Sequence, residues 1–163
     1  MLILTAYHCI RPSPPALVRV GSSDWTTGGE LHHINPRGLC GYPNNGTFLL
    51  HDIGVAGWGY TPHGWPRYLQ ETNIGTMDKR DCYSHGYAMP ESYAFCTHTH
   101  VTSICKGDSG GAVMYKGVQV GLVSHLNRGN PNVNYQCRSD HPDTMVFVPA
   151  YLNWIRYYMR IYE

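Results

Sequence analysis

The chain has 163 residues, with 12 Lys and Arg against 11 Asp and Glu and a formal net charge of +1. This length fits one domain, or two small barrels that share an interface, and it allows a substantial buried core. With 42% hydrophobic and 14% charged residues, the composition argues against disorder over most of the chain. No basic run stands out, so the charge pattern indicates neither nucleic acid nor an acidic membrane surface as a partner.

Gly, Pro and Tyr are abundant, at 18, 11 and 13 residues, and long helical periodicity is scarce. This pattern is typical of short strands joined by many turns and predicts an all-β protein. The six cysteines form no close zinc-type pair, which favours a disulfide framework and an oxidising, secreted setting. A glycosylation sequon at residues 45–47 agrees with that setting.

The predicted elements follow the chain in two groups. Strands are expected in the first part at residues 2–6, 17–20, 31–34 and 48–55, the first and last of them buried. The second part is predicted to contain strands at 68–74, 94–96, 112–115, 118–125 and 145–148, a helical turn at 78–83, and an amphipathic helix at 151–162. Lys116-Gly117 indicates a hairpin between two of these strands.

Residues 105–111, Cys-Lys-Gly-Asp-Ser-Gly-Gly, are the most informative stretch. Small residues on both sides of Ser109 permit a tight turn that presents the serine hydroxyl. The backbone amides of Gly107 and Ser109 would then converge on one point and stabilise the oxyanion of acyl transfer. The alternative is an ordinary glycine-rich turn in which Asp108 caps its own backbone.

Two further residues have side chains suited to the same chemistry. His8 follows an apolar run and precedes Cys9, although a histidine there is also compatible with a core or boundary position. Asp52 interrupts the apolar run 48–55, where a carboxylate is costly to bury unless it is hydrogen-bonded. A histidine N–H is a suitable partner, because Asp then fixes the imidazole tautomer. The alternative is a partly exposed aspartate at a strand edge.

The order His, Asp, Ser along the chain is that of chymotrypsin and differs from that of subtilisin and the α/β-hydrolases. Residues 4–9, 51–54 and 107–111 resemble the histidine, aspartate and serine motifs of the chymotrypsin/trypsin-like serine protease family. Further similarities at 57–59, 69–70, 95–96, 121–124 and 151–155 extend the resemblance over nearly the whole chain.

The resemblance implies two Greek-key β-barrels followed by a C-terminal α-helix. A partial N-terminal barrel is expected over residues 1–54, and the C-terminal barrel with its helix over 55–163. We expect the N-terminal barrel to be truncated, with its first strands and the activation terminus before Met1. A second segment is expected to be missing between Gly54 and Val55.

The resemblance also implies a secreted serine endopeptidase that hydrolyses peptide bonds in proteins through an acyl-enzyme. Ser109 would be the nucleophile, His8 the general acid/base, Asp52 the orienting carboxylate, and the amides of Gly107 and Ser109 the oxyanion hole. Two alternatives stay open: a non-catalytic homologue that binds proteins through the same cleft, and an inactive fragment of a longer protease. The first arises because the family pairs a newly cleaved amine with Asp108, which the sequence as written does not offer, and because His125-Leu126 departs from the family pattern after Ser124. The second arises from the two segments that are expected to be missing.

The substrate pocket is expected to involve Ser103, Ser124 and Leu126. Ser103 stands at the pocket floor, where trypsin has an Asp, so a trypsin-like preference is disfavoured there. Asp143 would lie near the other end of the pocket and could restore a preference for basic side chains. Leu126 could obstruct the pocket mouth.

The remaining expectations concern cysteines, cofactors and partners. The resemblance implies disulfides Cys82–Cys96 and Cys105–Cys137, and a Cys9–Cys40 bond is conceivable. No cofactor or metal is expected, because His98 and His100, which share a strand face, have no third ligand.

The expected partners are protein or peptide substrates and protease inhibitors, and the chain is expected to be a monomer. We expect the terminal helix, with Trp154 and Ile155, to pack on its own barrel rather than on a partner.

Overall fold

The computed structural model of the protein describes residues 3–6, 9, 17–33, 52–85, 93–98, 101–125, 137 and 142–161. These residues form mostly β-structure, as predicted. The elements in chain order are β1 (Leu17–Val20), β2 (Glu30–His33), β3 (Ile53–Gly57), β4 (Gln70–Met77), α1 (Lys79–Ser84), β5 (Ala94–His98), β6 (Ala112–Tyr115), β7 (Val118–His125), β8 (Asp143–Phe147), a 3₁₀ turn (Val148–Tyr151) and α2 (Leu152–Ile161).

Six of the strands form a closed antiparallel barrel in the order β3-β4-β5-β8-β7-β6. The barrel closes between β3 and β6, where Val55 pairs with Val113. Closure gives every strand a partner on both sides and so removes the unpaired edges of an open sheet.

The core of the protein lies inside this barrel. Along β3 the residues alternate, with Ile53 and Val55 buried and Ala56 exposed, which is the period of two expected for a strand with one buried face. Apolar side chains from all six strands and from the loop between β5 and β6 fill the interior: Ile53, Val55, Ile74, Phe95, Ile104, Val113, Val120, Val123 and Met145.

Local sequence signals account for the connections. Lys116 and Gly117 have φ angles of 48° and 78°, the two positive values that a type I′ hairpin turn requires. Asp78 caps α1 by accepting a hydrogen bond from the Arg80 amide at 2.8 Å. The predicted hairpin and the predicted helical turn are therefore confirmed.

Strands β1 and β2 form a separate two-stranded sheet. Leu17 and Leu31 in this sheet are 44% and 54% exposed, so little apolar surface is buried there. The sheet and its connecting loop reach the rest of the protein through polar contacts with the β3–β4 loop. The Trp58 Nε1 and the Leu69 amide both donate to the Ser23 carbonyl, at 3.2 Å and 2.8 Å.

Three predicted elements differ in the structure. Residues 3–6 form no strand, because no described strand pairs with them. The strand expected at 48–55 begins only at Ile53, and residues 48–51 lie outside the described part of the chain. The third is α2, in which no described residue is fully buried: Trp154 and Ile155 are partly buried, and the preceding 3₁₀ turn buries Val148 and Ala150.

Within the described residues, no helix is long and apolar enough to cross a membrane.

Candidate active site

The loop that carries Ser109 is folded by short-range hydrogen bonds. The Asp108 amide donates to the Cys105 carbonyl at 3.0 Å, and the Gly111 amide donates to the Asp108 carbonyl at 2.9 Å. Gly107 and Gly110 have φ angles of 103° and 81°, which glycine adopts without the strain that a side chain would bring. The glycines around Ser109 are therefore required by the backbone of this turn.

Strand β7 fixes the other side of the loop. The Gly110 amide donates to the Val123 carbonyl at 2.8 Å, and the Val123 amide donates to the Gly111 carbonyl at 2.9 Å. The register of β7 against β8 shifts between Val123 and His125, so Ser124 stands at a bulge directly after this contact. A bulge re-aims the side chain it carries, and Ser124 is partly buried.

The backbone amides of the loop fall into two groups. Those of Asp108, Gly110 and Gly111 donate to backbone carbonyls, as given above. The amides of Gly107 and Ser109 donate to no acceptor among the described residues. Gly107 is exposed and Ser109 is partly buried, so these two N–H groups, one on either side of Asp108, are open to solvent or to a bound acceptor.

The Asp108 carboxylate is held between the loop and the end of β3. Its Oδ1 accepts from the Gly59 amide and its Oδ2 from the Cys105 amide, both at 2.8 Å. Burial raises the pKa of Asp108, while the two amide donors act in the opposite direction. A Cβ atom at Gly57 or Gly59 would overlap the carboxylate, which explains the two glycines of the Gly-Trp-Gly stretch.

His8 lies outside the described residues, but residues on both sides of it contact the Ser109 loop. The Cys9 Sγ donates to the Ser109 carbonyl at 3.3 Å, and the Cys9 amide donates to the Ala6 carbonyl at 2.9 Å. A Cβ atom on Gly110 would lie 3.2 Å from the Ala6 nitrogen and 3.3 Å from the Cys9 sulfur. Ala6 and Cys9 therefore pack directly on the serine loop.

Both disulfides implied by the resemblance are present. Cys82 is bonded to Cys96 and Cys105 to Cys137, with Cα–Cα distances of 6.2 Å and 5.3 Å. The second bond holds the start of the Ser109 loop. Cys9 is a free cysteine, so the conceivable bond to Cys40 is absent.

Asp52 differs from the expectation of a buried carboxylate. It is exposed, has a φ of 60°, and stands immediately before β3. Aspartate is among the few residues that adopt this left-handed conformation readily, since its short side chain can hydrogen-bond locally. The described geometry thus matches the alternative of an exposed aspartate at a strand edge.

Of the expected pocket residues, Ser103 has the most defined environment. Its Oγ donates to the Ile104 carbonyl at 2.9 Å and to the Asp143 Oδ2 at 3.3 Å. The Asp143 residue is only 7% exposed, at the start of β8. The structure thus brings Ser103 and Asp143 together, while Leu126 lies outside the described residues.

An aromatic pair beside Gly107 was not predicted from the sequence. The Trp65 ring lies against Gly107, and the Tyr60 ring packs on Trp65 with a centroid distance of 5.5 Å. The signal that could have located it is the turn sequence Thr-Pro-His-Gly at 61–64, which brings the residues on its two sides together.

No group of three or more His, Cys, Asp and Glu residues that could hold a metal ion occurs within the described part of the chain. His98 is described at the end of β5, whereas His100 is not.

Comparison with known proteins gives a matching family model and several similar proteins. Residues 41–155 match the family model described as Trypsin. The chain is 26% identical over 195 aligned residues to "Trypsin delta" of Drosophila melanogaster, covering 94% of this chain and 73% of that protein. It is 25% identical over 197 residues to "Trypsin" of Sarcophaga bullata, with the same two coverages of 94% and 73%. It is 30% identical over 105 residues to "Chymotrypsin-2" of Vespa crabro, covering 63% of this chain and 44% of that protein.

Proposed function

The chain belongs to the trypsin family of serine proteases, and from this premise we propose that it is an endopeptidase that hydrolyses peptide bonds through Ser109, His8 and Asp52. In the proposed reaction, the Ser109 Oγ bonds to the substrate carbonyl carbon while its proton passes to the His8 imidazole. The leaving amine takes that proton as the C–N bond breaks, which leaves an acyl-enzyme. Water then repeats the two steps, releasing the acid and restoring the Ser109 hydroxyl.

The observation that carries the proposal is the pair of available amides at Gly107 and Ser109. Negative charge develops on the carbonyl oxygen during acyl transfer, and donors that are already aimed at it stabilise the transition state without reorganisation. Asp108 lies between the two amides, and its side chain is anchored at both oxygens by Gly59 and Cys105. The hydrogen bond from Gly59, which follows β3, therefore helps to fix the backbone between the two amides.

The contacts of Ala6 and Cys9 with the serine loop support the role of His8, because they bring the chain on both sides of it next to Ser109 and Gly110. Asp52 is proposed to orient the imidazole, the role that the resemblance implies for it. The alternative of a non-catalytic homologue is not favoured, since the sequence retains all three of these residues.

The substrate pocket is proposed to lie at Ser103, Ser124 and Leu126. The buried Asp143 carboxylate accepts a hydrogen bond from the Ser103 hydroxyl, so an acidic group stands next to the proposed floor. This contact supports the interpretation that Asp143 contributes a preference for basic side chains at the acyl residue.

Substrates are proposed to be proteins or peptides, and protease inhibitors would compete for the same cleft. The two disulfides support secretion into an oxidising compartment, where such bonds persist. We further propose that the chain acts as a monomer and that its N-terminal unit, expected at residues 1–54, supplies His8 and Asp52 to the unit expected at 55–163. The boundary between these units falls inside β3, so Ile53 and Gly54 belong to the barrel.

Active-site labelling with a fluorophosphonate tests the proposal. The expected result is a covalent adduct in which a Ser109 Oγ–P bond forms and fluoride leaves, so that the chain gains the mass of the probe minus HF. The Ser109→Ala variant, which lacks the nucleophile, should not be labelled. A chain that is folded by circular dichroism and gains no adduct would show that it lacks an activated serine.

A further inference from the structure

Tyr60 and Trp65 form a fixed pair on the loop between β3 and β4. The Thr61 amide donates to the Gly64 carbonyl at 3.0 Å and the Gly64 amide to the Thr61 carbonyl at 2.9 Å, which closes a tight turn between the two aromatic residues. Their rings meet edge to face, with an interplanar angle of 77°. We call this pair the aromatic platform.

The aromatic platform is joined to the serine loop at two points. The Tyr60 amide donates to the Lys106 carbonyl at 2.9 Å. A Cβ atom at Gly107 would lie 2.8 Å from a Trp65 ring carbon, so the ring rests directly on that glycine. The platform therefore stands beside Gly107, one of the two residues whose amides form the proposed oxyanion hole.

Both rings present apolar surface to solvent, since Tyr60 is 41% and Trp65 is 59% exposed. Aromatic rings that are already held in place bind a partner at a small cost in conformational entropy. A rigid exposed pair next to a proposed reaction centre is thus suited to contact the substrate chain as it leaves the oxyanion hole.

We propose that the aromatic platform is a subsite for an apolar, preferably aromatic, side chain of the first substrate residue on the leaving-group side. This inference rests on the proposed peptidase function. The substrate residue that supplies the scissile carbonyl is assigned to the pocket at Ser103 and Ser124. The residues on the other side of the scissile bond, which belong to the leaving group, are therefore the ones that we expect to contact Trp65. Offset or edge-to-face ring contacts there would favour Phe over Ala by about five- to tenfold.

The first experiment compares two internally quenched peptides that differ only in Phe or Ala at that leaving-group position. The wild-type protein should cleave the Phe peptide with a kcat/KM about five to ten times higher, and Trp65→Ala should reduce this ratio to about one. Trp65→Phe should keep part of it. Trp25→Ala is the matched control, because Trp25 is 57% exposed on the β1–β2 loop, and it should keep the whole ratio.

A second experiment measures binding without catalysis. Fluorescence anisotropy of the same two peptides is recorded with the Ser109→Ala variant and with the Ser109→Ala, Trp65→Ala double variant. The Phe peptide should bind the former about five to ten times more tightly than the Ala peptide, and the latter with no preference.

The two measurements separate this inference from the proposed function. If the wild type is labelled by the fluorophosphonate but Trp65→Ala leaves the Phe-to-Ala ratio intact, the platform is not a subsite and the peptidase function stands. If labelling fails while the binding preference depends on Trp65, the platform binds peptides and the peptidase proposal is wrong. The absence of both labelling and preference overturns both proposals.

Discussion

The six-stranded barrel and the β1–β2 sheet are stabilised by different kinds of contact. Inside the barrel, Ile53, Val113, Val123 and Met145 are fully buried. The sheet leaves its apolar residues largely exposed and is joined to the β3–β4 loop by hydrogen bonds and one ion pair. The hydrophobic effect scales with the apolar area removed from water, so the free energy of folding should come mainly from the barrel.

The same difference applies to the candidate active site. The Ser109 loop is hydrogen-bonded to β7 and to the end of β3, which are parts of the barrel. Among the described residues, the hydrogen bonds named above join the sheet's connecting loop to the loop that carries Trp58 and Arg67, and not to the Ser109 loop. A change in the barrel should therefore alter both stability and the reactivity of Ser109, whereas a change in the sheet should alter neither strongly.

The largest expected effect is that of Met145→Ala. Met145 is fully buried in β8 and pairs with Phe95 on one side and Val123 on the other, so its truncation leaves a cavity. We expect a loss of about 3 kcal/mol in the free energy of unfolding, measured by urea denaturation. Leu31→Ala in the sheet removes a side chain that is 54% exposed and should cost about 0.5 kcal/mol or less. Equal losses in the two variants would contradict the assignment of stability to the barrel.

A smaller effect is expected for Gly59→Ala. The new methyl group would overlap the Asp108 carboxylate, which cannot withdraw without losing its hydrogen bonds to Gly59 and Cys105. We expect a loss of about 2 kcal/mol in the free energy of unfolding together with slower fluorophosphonate labelling.

Gly75→Ala provides the control for Gly59→Ala. A Cβ atom at Gly75, in β4, would lie 3.7 Å from the His98 carbonyl oxygen, which is an ordinary contact. Gly75→Ala should therefore change neither the free energy of unfolding nor the labelling rate by much. If Gly59→Ala were labelled as fast as the wild type, the anchoring of Asp108 would not matter for the reactivity of Ser109.

Features that depend on neighbouring residues in the sequence were predicted well. The Lys116-Gly117 turn, the helical turn at 78–83 and strands β1, β6 and β7 were predicted from patterns of neighbouring residues, and all are found. The glycines around Ser109 likewise indicated the tight turn that the structure contains.

Several features that depend on distant contacts were not predicted, although the two disulfides implied by the family resemblance are present. An apolar run forms a strand only where another strand pairs with it, and residues 3–6 have no such partner among the described strands. Asp52 was expected to be buried because its sequence neighbours are apolar, but the strand begins one residue later. The position of Trp65 against Gly107 joins residues 42 apart in the sequence, so periodicity could not reveal it.

The smallest expected effect concerns the ion pair between Asp24, on the β1–β2 loop, and Arg67, on the β3–β4 loop. The Arg67 guanidinium, 2.8 Å from Asp24 Oδ2, holds the pKa of that carboxyl well below its usual range, with a further contribution from Thr26. Because the folded-state pKa is lowered, the stabilisation is present above the unfolded pKa of about 4 and is lost as the pH falls through the folded value. Arg67→Gln should therefore lower the melting temperature slightly at pH 7, and this difference from the wild type should shrink as the pH falls below about 4.

Arg80→Gln separates this ion pair from a general effect of charge. Arg80 is 95% exposed and its Nε lies 3.8 Å from the Asp78 carboxylate, so removing its charge should change the melting temperature less than Arg67→Gln does. Raising the salt concentration should also reduce the effect of Arg67→Gln, because exposed charges are screened. An effect of Arg67→Gln that stayed constant through acid and high salt would indicate that Arg67 acts by packing over the Tyr68 ring, 5.6 Å away, rather than through Asp24. In that case side-chain packing would also join the sheet to the β3–β4 loop. The sheet and the barrel would then differ only in how much packing stabilises each of them.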